Sequence, residues 1–141
     1  MKSIEEIQSE IIEEFAVYDE WLDKYEYLID LGRDMPLAAE ADKTDEHLID
    51  GCQSRVWLVC TAGPDGRLHF AADSDAIITK GIISLLIRVF EGQTPKDILA
   101  ADLHFIDDIG LKENLSPTRA GGLVAMVKRI MAYAAEHGKE A

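Results

Sequence analysis

The chain has two cysteines among 141 residues, and one of them stands where a thiol could do chemistry. Cys52 lies in the run Asp50-Gly51-Cys52-Gln53-Ser54-Arg55-Val56-Trp57. A glycine precedes it, polar residues follow, and a strand-like run begins just after. A thiol in such a loop can change exposure at little cost, and its reactivity follows how far the thiolate is favoured. The competing reading is a small buried hydrophobe, because free cysteine is among the most buried residue types. Cys60 differs. It alternates with Val56 and Leu58 in a strand pattern and is expected to be a structural core residue. A Cys52–Cys60 disulfide is disfavoured in a reducing compartment.

Few other residues have spacing that suggests chemistry. Arg119 falls in the expected first turn of a helix, where a cation opposes the helix dipole by a few tenths to about 1 kcal/mol. It reads either as a surface arginine in a salt bridge or as an anchor for a thiolate or a partner's acid. Gly121 and Gly122 follow it, and each costs a helix roughly 1 kcal/mol against alanine. Two such residues in one turn imply close approach by another element, the Cys52 loop being a candidate. Asp73 and Asp75 read most simply as helix caps. His47, His69, His104 and His137 show no ligand spacing, although His47 and His104 could approach a thiol. Two cysteines are too few for a structural zinc site. No Ser-His-Asp signature or phosphate loop is present.

The elements that must hold these residues can be read in order. Ser3-x-x-Glu6 has the form of a capping box, and Ile4, Ile7, Ile11 and Phe15 follow at helical spacing. A second helix is expected after Asp19 as cap, with Trp21, Leu22, Tyr25, Leu28 and Ile29 on its apolar side and Gly32 as its stop. A turn of helix around Leu37 to Glu40 and a short edge strand at His47 to Ile49 are expected next. Arg55 to Thr61 and Arg67 to Ala72 form an antiparallel hairpin about Gly63-Pro64-Asp65-Gly66. Ala76 to Glu91 reads as a largely buried core helix, polar only along Lys80, Ser84, Arg88 and Glu91. Thr94-Pro95 and Ser116-Pro117 each pair a cap with a proline at the first helical position. The stretch 101–115 is mixed, and the last helix, to about His137, turns Leu123, Val127, Ile130, Met131 and Ala134 inward. The pattern is α+β: one domain over residues 1–141, with a small antiparallel sheet packed against several α-helices.

Composition narrows the function. The formal charge is −13, which argues against nucleic acid and anionic membranes, since both call for clustered Lys and Arg. Such acidity suits a partner with a basic patch. The N-terminus lacks the apolar core of a signal peptide, and no apolar run is long enough for a membrane span. The cytoplasm is the expected compartment.

Several blocks in register resemble the SufE family, the sulfur acceptors of iron–sulfur cluster assembly. They are Tyr25-x-Tyr27-Leu28-Ile29-Asp30-Leu31-Gly32, Gly51-Cys52-Gln53-Ser54-Arg55-Val56-Trp57, Asp73-Ser74-Asp75-Ala76 with Lys80-Gly81, Thr94-Pro95-Lys96-Asp97-Ile98, and Leu115-Ser116-Pro117-Thr118-Arg119 with Gly122-Leu123. The stretch from Ala101 to Asn114 shows little that aligns. The resemblance implies a SufE/NifU (IscU-like) fold. It implies that Cys52 accepts sulfane sulfur as a persulfide from a SufS-type cysteine desulfurase, speeds that enzyme's turnover, and passes the sulfur to a SufB-type scaffold. Pyridoxal phosphate would sit on the desulfurase, and no cofactor is expected on this chain, which would act as a carrier rather than an enzyme. By position, Arg119 matches the family's arginine near the cysteine loop and Asp75 its core-helix aspartate. Gly51, Gln53 and Ser54 would support the loop or meet the partner.

Sulfur transfer of this kind is displacement by a thiolate, governed by thiolate fraction, nucleophilicity and access. Two states of the loop are therefore expected. At rest the thiol is tucked against the hairpin and core helix; on docking it swings out, with Gly51 as a hinge. The protein is expected as a monomer or weak homodimer. Rival readings remain at this point: an iron–sulfur scaffold of the related IscU/NifU type, which needs more ligands, a thiol-dependent enzyme, which needs a nearby base or resolving thiol, and an interaction module with an incidental cysteine.

Overall fold

The structure, a computed structural model, describes residues 2–52 and 54–138. Helix α1 spans Ile4–Ala16 and opens on the capping box: Ser3 Oγ accepts the Glu6 N–H, and the Glu6 carboxylate accepts the Ser3 N–H. Ile4, Ile11 and Phe15 are buried. So is Gln8, whose amide donates to the Asp102 carbonyl at 2.9 Å and whose oxygen accepts the His104 and Phe105 N–H groups. One polar side chain thus ties α1 to a segment almost a hundred residues away, and its burial is compensated by those bonds.

Helix α2, Trp21–Arg33, departs from expectation at both ends. Glu20 rather than Asp19 precedes it, with no side-chain cap, and the helix runs through Gly32. Leu22 is 70% exposed rather than inward. Gly32 is a packing residue, not a stop. A Cβ on it would lie 2.8 Å from the Gly81 nitrogen, and a Cβ on Gly81 would lie 2.5 Å from the Leu28 carbonyl oxygen. The two helix backbones therefore meet through a glycine pair that no larger residue could replace without displacement.

Strands β1 (Val56–Ala62) and β2 (Leu68–Ser74) pair antiparallel, from Val56 opposite Ser74 to Ala62 opposite Leu68. Gly66, at φ +81°, turns the chain between them. Both sheet edges are covered by brief bridges: Leu37 lies parallel to Ala72, and Leu48 antiparallel to Trp57. The expected edge strand at His47 to Ile49 is such a bridge. The expected helical turn at Leu37 to Glu40 is displaced to a 3-10 turn at Glu40–Asp42, because Leu37 is engaged beside β2.

Helix α3, Ile77–Phe90, is buried on nearly every side, as its sequence requires. Asp73 and Asp75 do not cap it. Ala76 occupies that position without a side-chain bond. Strand β2 continues to Ser74, and this carries the carboxylates toward the sheet's neighbours instead. Asp73 pairs with Lys43 at 2.6 Å and Lys80 at 3.3 Å, while Asp75 turns to Arg55.

Helix α4, Pro95–Ala100, starts at Thr94, whose hydroxyl accepts the Asp97 N–H. Helix α5, Phe105–Asp108, and a 3-10 turn at Lys112–Asn114 fill the mixed stretch. Helix α6, Pro117–Gly138, buries Gly122, Leu123, Met126, Ile130 and Ala134, while Val127 and Met131 are half-buried. This is an α+β architecture with a two-stranded sheet. Among the described residues no helix is long and apolar enough to cross a membrane.

Candidate functional site

Cys52 sits in a loop whose base is closed. The Ile49 N–H donates to the Val56 carbonyl at 2.8 Å, so residues 50–55 form a short excursion from two fixed points. On the far side, Arg55 is held by its backbone: its N–H donates to the Asp75 carboxylate at 3.0 Å, and its carbonyl accepts from the Ser74 hydroxyl at 2.8 Å and the Asp75 N–H at 3.2 Å. On the near side, Gly51 adopts φ +93°, and a Cβ there would lie 3.3 Å from the Ala125 Cβ. Both the dihedral and the contact with α6 favour glycine. Gln53 lies outside the described residues.

The thiol itself rests on α6. Cys52 Sγ donates to the Gly122 carbonyl at 3.6 Å, a weak bond as expected of a thiol. A Cβ added at Gly122 would lie 3.5 Å from Sγ. The close approach expected of the glycine pair in α6 thus occurs at Gly122 and involves the Cys52 loop, while Gly121 has nothing among the described residues within 4 Å of where its Cβ would be. The wall opposite α6 is α3, through Thr79 and Ile82. The core helix therefore shelters the thiol as expected, but α6 stands in the place expected of the hairpin.

Between these walls lies a cavity of about 60 Å³, lined also by Ser54, Thr118, Arg119 and Met126. That is several times the roughly 10–15 Å³ needed for a water, so one further sulfur atom has room beside Sγ. Burial raises the Cys52 pKa above the ordinary thiol value. Burial in this seat therefore disfavours the thiolate, the nucleophilic form. Arg119 is at the cavity, exposed, with its N–H bonded to the Ser116 hydroxyl at 3.3 Å.

Other expectations fare differently. Cys60 packs against the core but is only half-buried. Burial, with Glu91 and Glu136 adding to it, pushes its thiol up to about 12. Both cysteines are free. His47 bonds the Asp42 carbonyl and Thr44, and His104 pairs with Glu5 and Asp108; neither lines the Cys52 cavity. No His, Asp or Glu is among the described residues lining it. No cluster of three or more His, Cys, Asp or Glu with metal-binding geometry occurs among the described residues.

The sequence reading missed the device that holds the loop's near end. The Arg129 guanidinium donates to the Leu48 carbonyl at 3.2 Å and to that of Glu46, and lies 5.1 Å from the Tyr133 ring centroid. The Tyr133 hydroxyl in turn donates to the Leu58 carbonyl at 2.8 Å. Arg and Tyr four apart share a helix face, which is the only trace this device leaves in the sequence. Thr79 and Met126, two walls of the cavity, were missed as well.

Comparison with known proteins agrees with the blocks around this loop. Residues 9–134 match the family described as SufE, the Fe-S metabolism associated domain. A SufE-like protein of Rhizobium meliloti (strain 1021) is 40% identical over 129 residues, covering 89% of this chain and 92% of its own length. A SufE-like protein of Rhizobium etli is 40% identical over 125 residues, covering 86% and 84%. The solution structure of a hypothetical protein from Thermus thermophilus superposes with a TM-score of 0.77, over 94% of this chain and 96% of that one, at 20% identity; that likeness shows the fold. A loop thiol sheltered by the core helix, on this fold, and a match along nearly the whole chain lead to one conclusion: the protein belongs to the SufE family, which places it in iron–sulfur metabolism.

Proposed function

We propose that the protein is a sulfur carrier: Cys52 accepts sulfane sulfur as a persulfide from a SufS-type cysteine desulfurase and delivers it to a SufB-type scaffold in iron–sulfur cluster assembly. The observation that carries this reading is the seat of the thiol. Sγ lies on Gly122 beside a cavity with room for one more atom. A persulfide in bulk water is open to reductants and oxidants, and a pocket of this size shelters it without a base or metal beside it.

The transfer conserves oxidation state. The Cys52 thiolate attacks the outer sulfur of the donor's persulfide. A new S–S bond forms on Cys52, the donor's S–S bond breaks, and its electron pair leaves on the donor thiolate. The proton from Cys52 is released as the loop leaves its seat. Removing product sulfur from the desulfurase would speed that enzyme's turnover. Pyridoxal phosphate belongs to the donor in this scheme, and this chain contributes a thiol and a shelter. Arg119, at the cavity, is positioned to favour the thiolate as it emerges. Asp75 acts through Arg55, fixing one end of the loop.

The test is to incubate the protein with a cysteine desulfurase and cysteine and weigh it intact. Wild type gains one sulfur atom and Cys52→Ser gains none while keeping its fold. A sulfur adduct persisting on Cys52→Ser would overturn the assignment. An iron–sulfur scaffold would need further ligands near Cys52, and the described residues lining its cavity include no other cysteine, histidine or carboxylate.

A further inference from the structure

Of the two adjacent glycines in α6, only one meets a neighbour among the described residues. Gly122 makes room for Cys52 Sγ; Gly121 faces open space, with nothing within 4 Å of a Cβ placed on it. Glycine weakens a helix interior relative to alanine, and here that weakening is matched by no contact among the described residues. Gly121 instead lines an open groove of about 480 Å³ that runs along the outside of α6.

The groove is continuous with the thiol site. Gly51 and Gly121 line the groove, and their next neighbours, Cys52 and Gly122, line the sulfur's cavity. No residue of the loop or of the helix lies between the two linings. The floor is apolar and includes Val124, 43% exposed, and Ala125. Exposed Lys128 stands at the rim, with Asp50 the one carboxylate among the lining residues. Along α6 the sequence from Pro117 to Ala135 carries Arg119, Lys128 and Arg129 and no acidic residue, in a chain where Asp and Glu outnumber Lys and Arg 27 to 14. The face beside the thiol thus departs in sign from the molecule as a whole.

We propose that this groove receives a carboxylate-bearing segment of the cysteine desulfurase, the stretch of chain next to its persulfide cysteine. The proposal rests on the carrier reading above. Gly121 lets that segment approach the α6 backbone, Val124 and Ala125 give it an apolar floor, and Lys128 pairs with its acid. Once the segment lies against Gly51 and Gly121, it is at the Cys52 loop, one residue from Cys52 itself. The acidic remainder of the carrier would repel the same partner surface and so disfavour other orientations.

The experiment measures sulfur loading against carrier concentration with a cysteine desulfurase, and separately with inorganic polysulfide, for wild type, Gly121→Ala, Gly121→Leu, Lys128→Glu and Lys128→Arg. Gly121→Ala and Gly121→Leu should melt at or above the wild-type temperature, since their side chains enter open space. Gly121→Leu should raise the carrier KM about tenfold or more, with polysulfide loading and Cys52 alkylation unchanged. Lys128→Glu should raise KM severalfold and Lys128→Arg should restore it. A Gly121→Leu protein that loads from the desulfurase with wild-type KM overturns the groove alone. An unchanged KM in Lys128→Glu overturns the acidic occupant. A wild-type dimer that Gly121→Leu converts to monomer gives the groove to a second copy and overturns the proposal. A wild type that takes no sulfur from the desulfurase overturns the carrier reading and the groove with it.

Discussion

Two contacts in this protein are built on glycine, and they do opposite things. At the α2–α3 crossing, Gly32 and Gly81 let two helix backbones touch, and an added Cβ would lie 2.5–2.8 Å from main-chain atoms. At the α6–loop contact, Gly122 lets a thiol settle against a helix, where an added Cβ would lie 3.5 Å from sulfur, an ordinary separation. The first contact is rigid because both partners are backbone within regular helices. The second joins a helix to a loop through a single thiol hydrogen bond of 3.6 Å, and a cavity remains beside it. Dense packing fixes the frame, and the looser contact holds the loop less firmly.

Substitutions can break that contrast. Gly81→Ala should have the largest effect on stability, a loss of roughly 2–3 kcal/mol from backbone displacement, read as a lower midpoint in urea unfolding. Gly32→Ala, whose closest clash is 2.8 Å rather than 2.5 Å, should cost roughly 1–2 kcal/mol in the same measurement. Gly122→Ala should do the reverse, raising stability by up to about 1 kcal/mol through helix propensity. Its cost would fall on the proposed chemistry: the methyl group takes room that a second sulfur would occupy, so a persulfide on Cys52 should be lost to reductant faster than in wild type. A Gly122→Ala persulfide as durable as the wild-type one would mean that the cavity is no shelter.

The smallest effect sharpens the comparison through pH. Burial raises both thiol pKa values, with Cys60 reaching about 12. The folded state therefore holds these protons more tightly than the unfolded chain. The resulting stability is fully present below the ordinary thiol pKa and is lost as pH rises through the folded values. Alkylation of Cys52 in the folded protein should accordingly reach its half-maximal rate above the pH found for the urea-unfolded chain, with Cys60 higher still. Equal midpoints in the folded and unfolded chains would mean that Cys52 rests in solvent rather than in its cavity.

What could be read from the sequence depended on whether its cause was local. The capping box at Ser3, the Thr94-Pro95 start and the apolar run of α3 are satisfied within a few residues, and each element forms where the pattern puts it. The Cys52 loop was equally legible, since a glycine, polar neighbours and a following strand are adjacent in the chain. Gly32 was misread because a helix-ending glycine and a helix-crossing glycine look alike until Gly81 is brought opposite. Asp73 and Asp75 were misread because β2 extends farther than its apolar alternation shows, and this redirects both carboxylates. Gln8 meeting residues 102–105 and Arg129 clamping the carbonyls of residues 46 and 48 are bonds between distant parts of the chain. The reach of a side chain across the fold leaves no periodicity to detect. The approach of the Cys52 loop to α6 was legible in the Gly121-Gly122 pair, but the place of α6 instead of the hairpin as a wall of the thiol's shelter was not.

The bond between Ile49 and Val56 also has a mechanical meaning. It makes the Cys52 loop a tether of fixed length. Counting from the anchored Ile49 on one side and Arg55 on the other, three residues lead to the sulfur-bearing position from each end. At about 3.3–3.6 Å per extended residue, the Cys52 backbone can stand no farther than roughly 10 Å from either anchor. In the proposed transfer a donor would therefore have to bring its cysteine to this protein's surface, and an acceptor would have to do the same. A carrier built this way would have a short stroke, and the distance between its partners would be crossed by diffusion of the whole molecule.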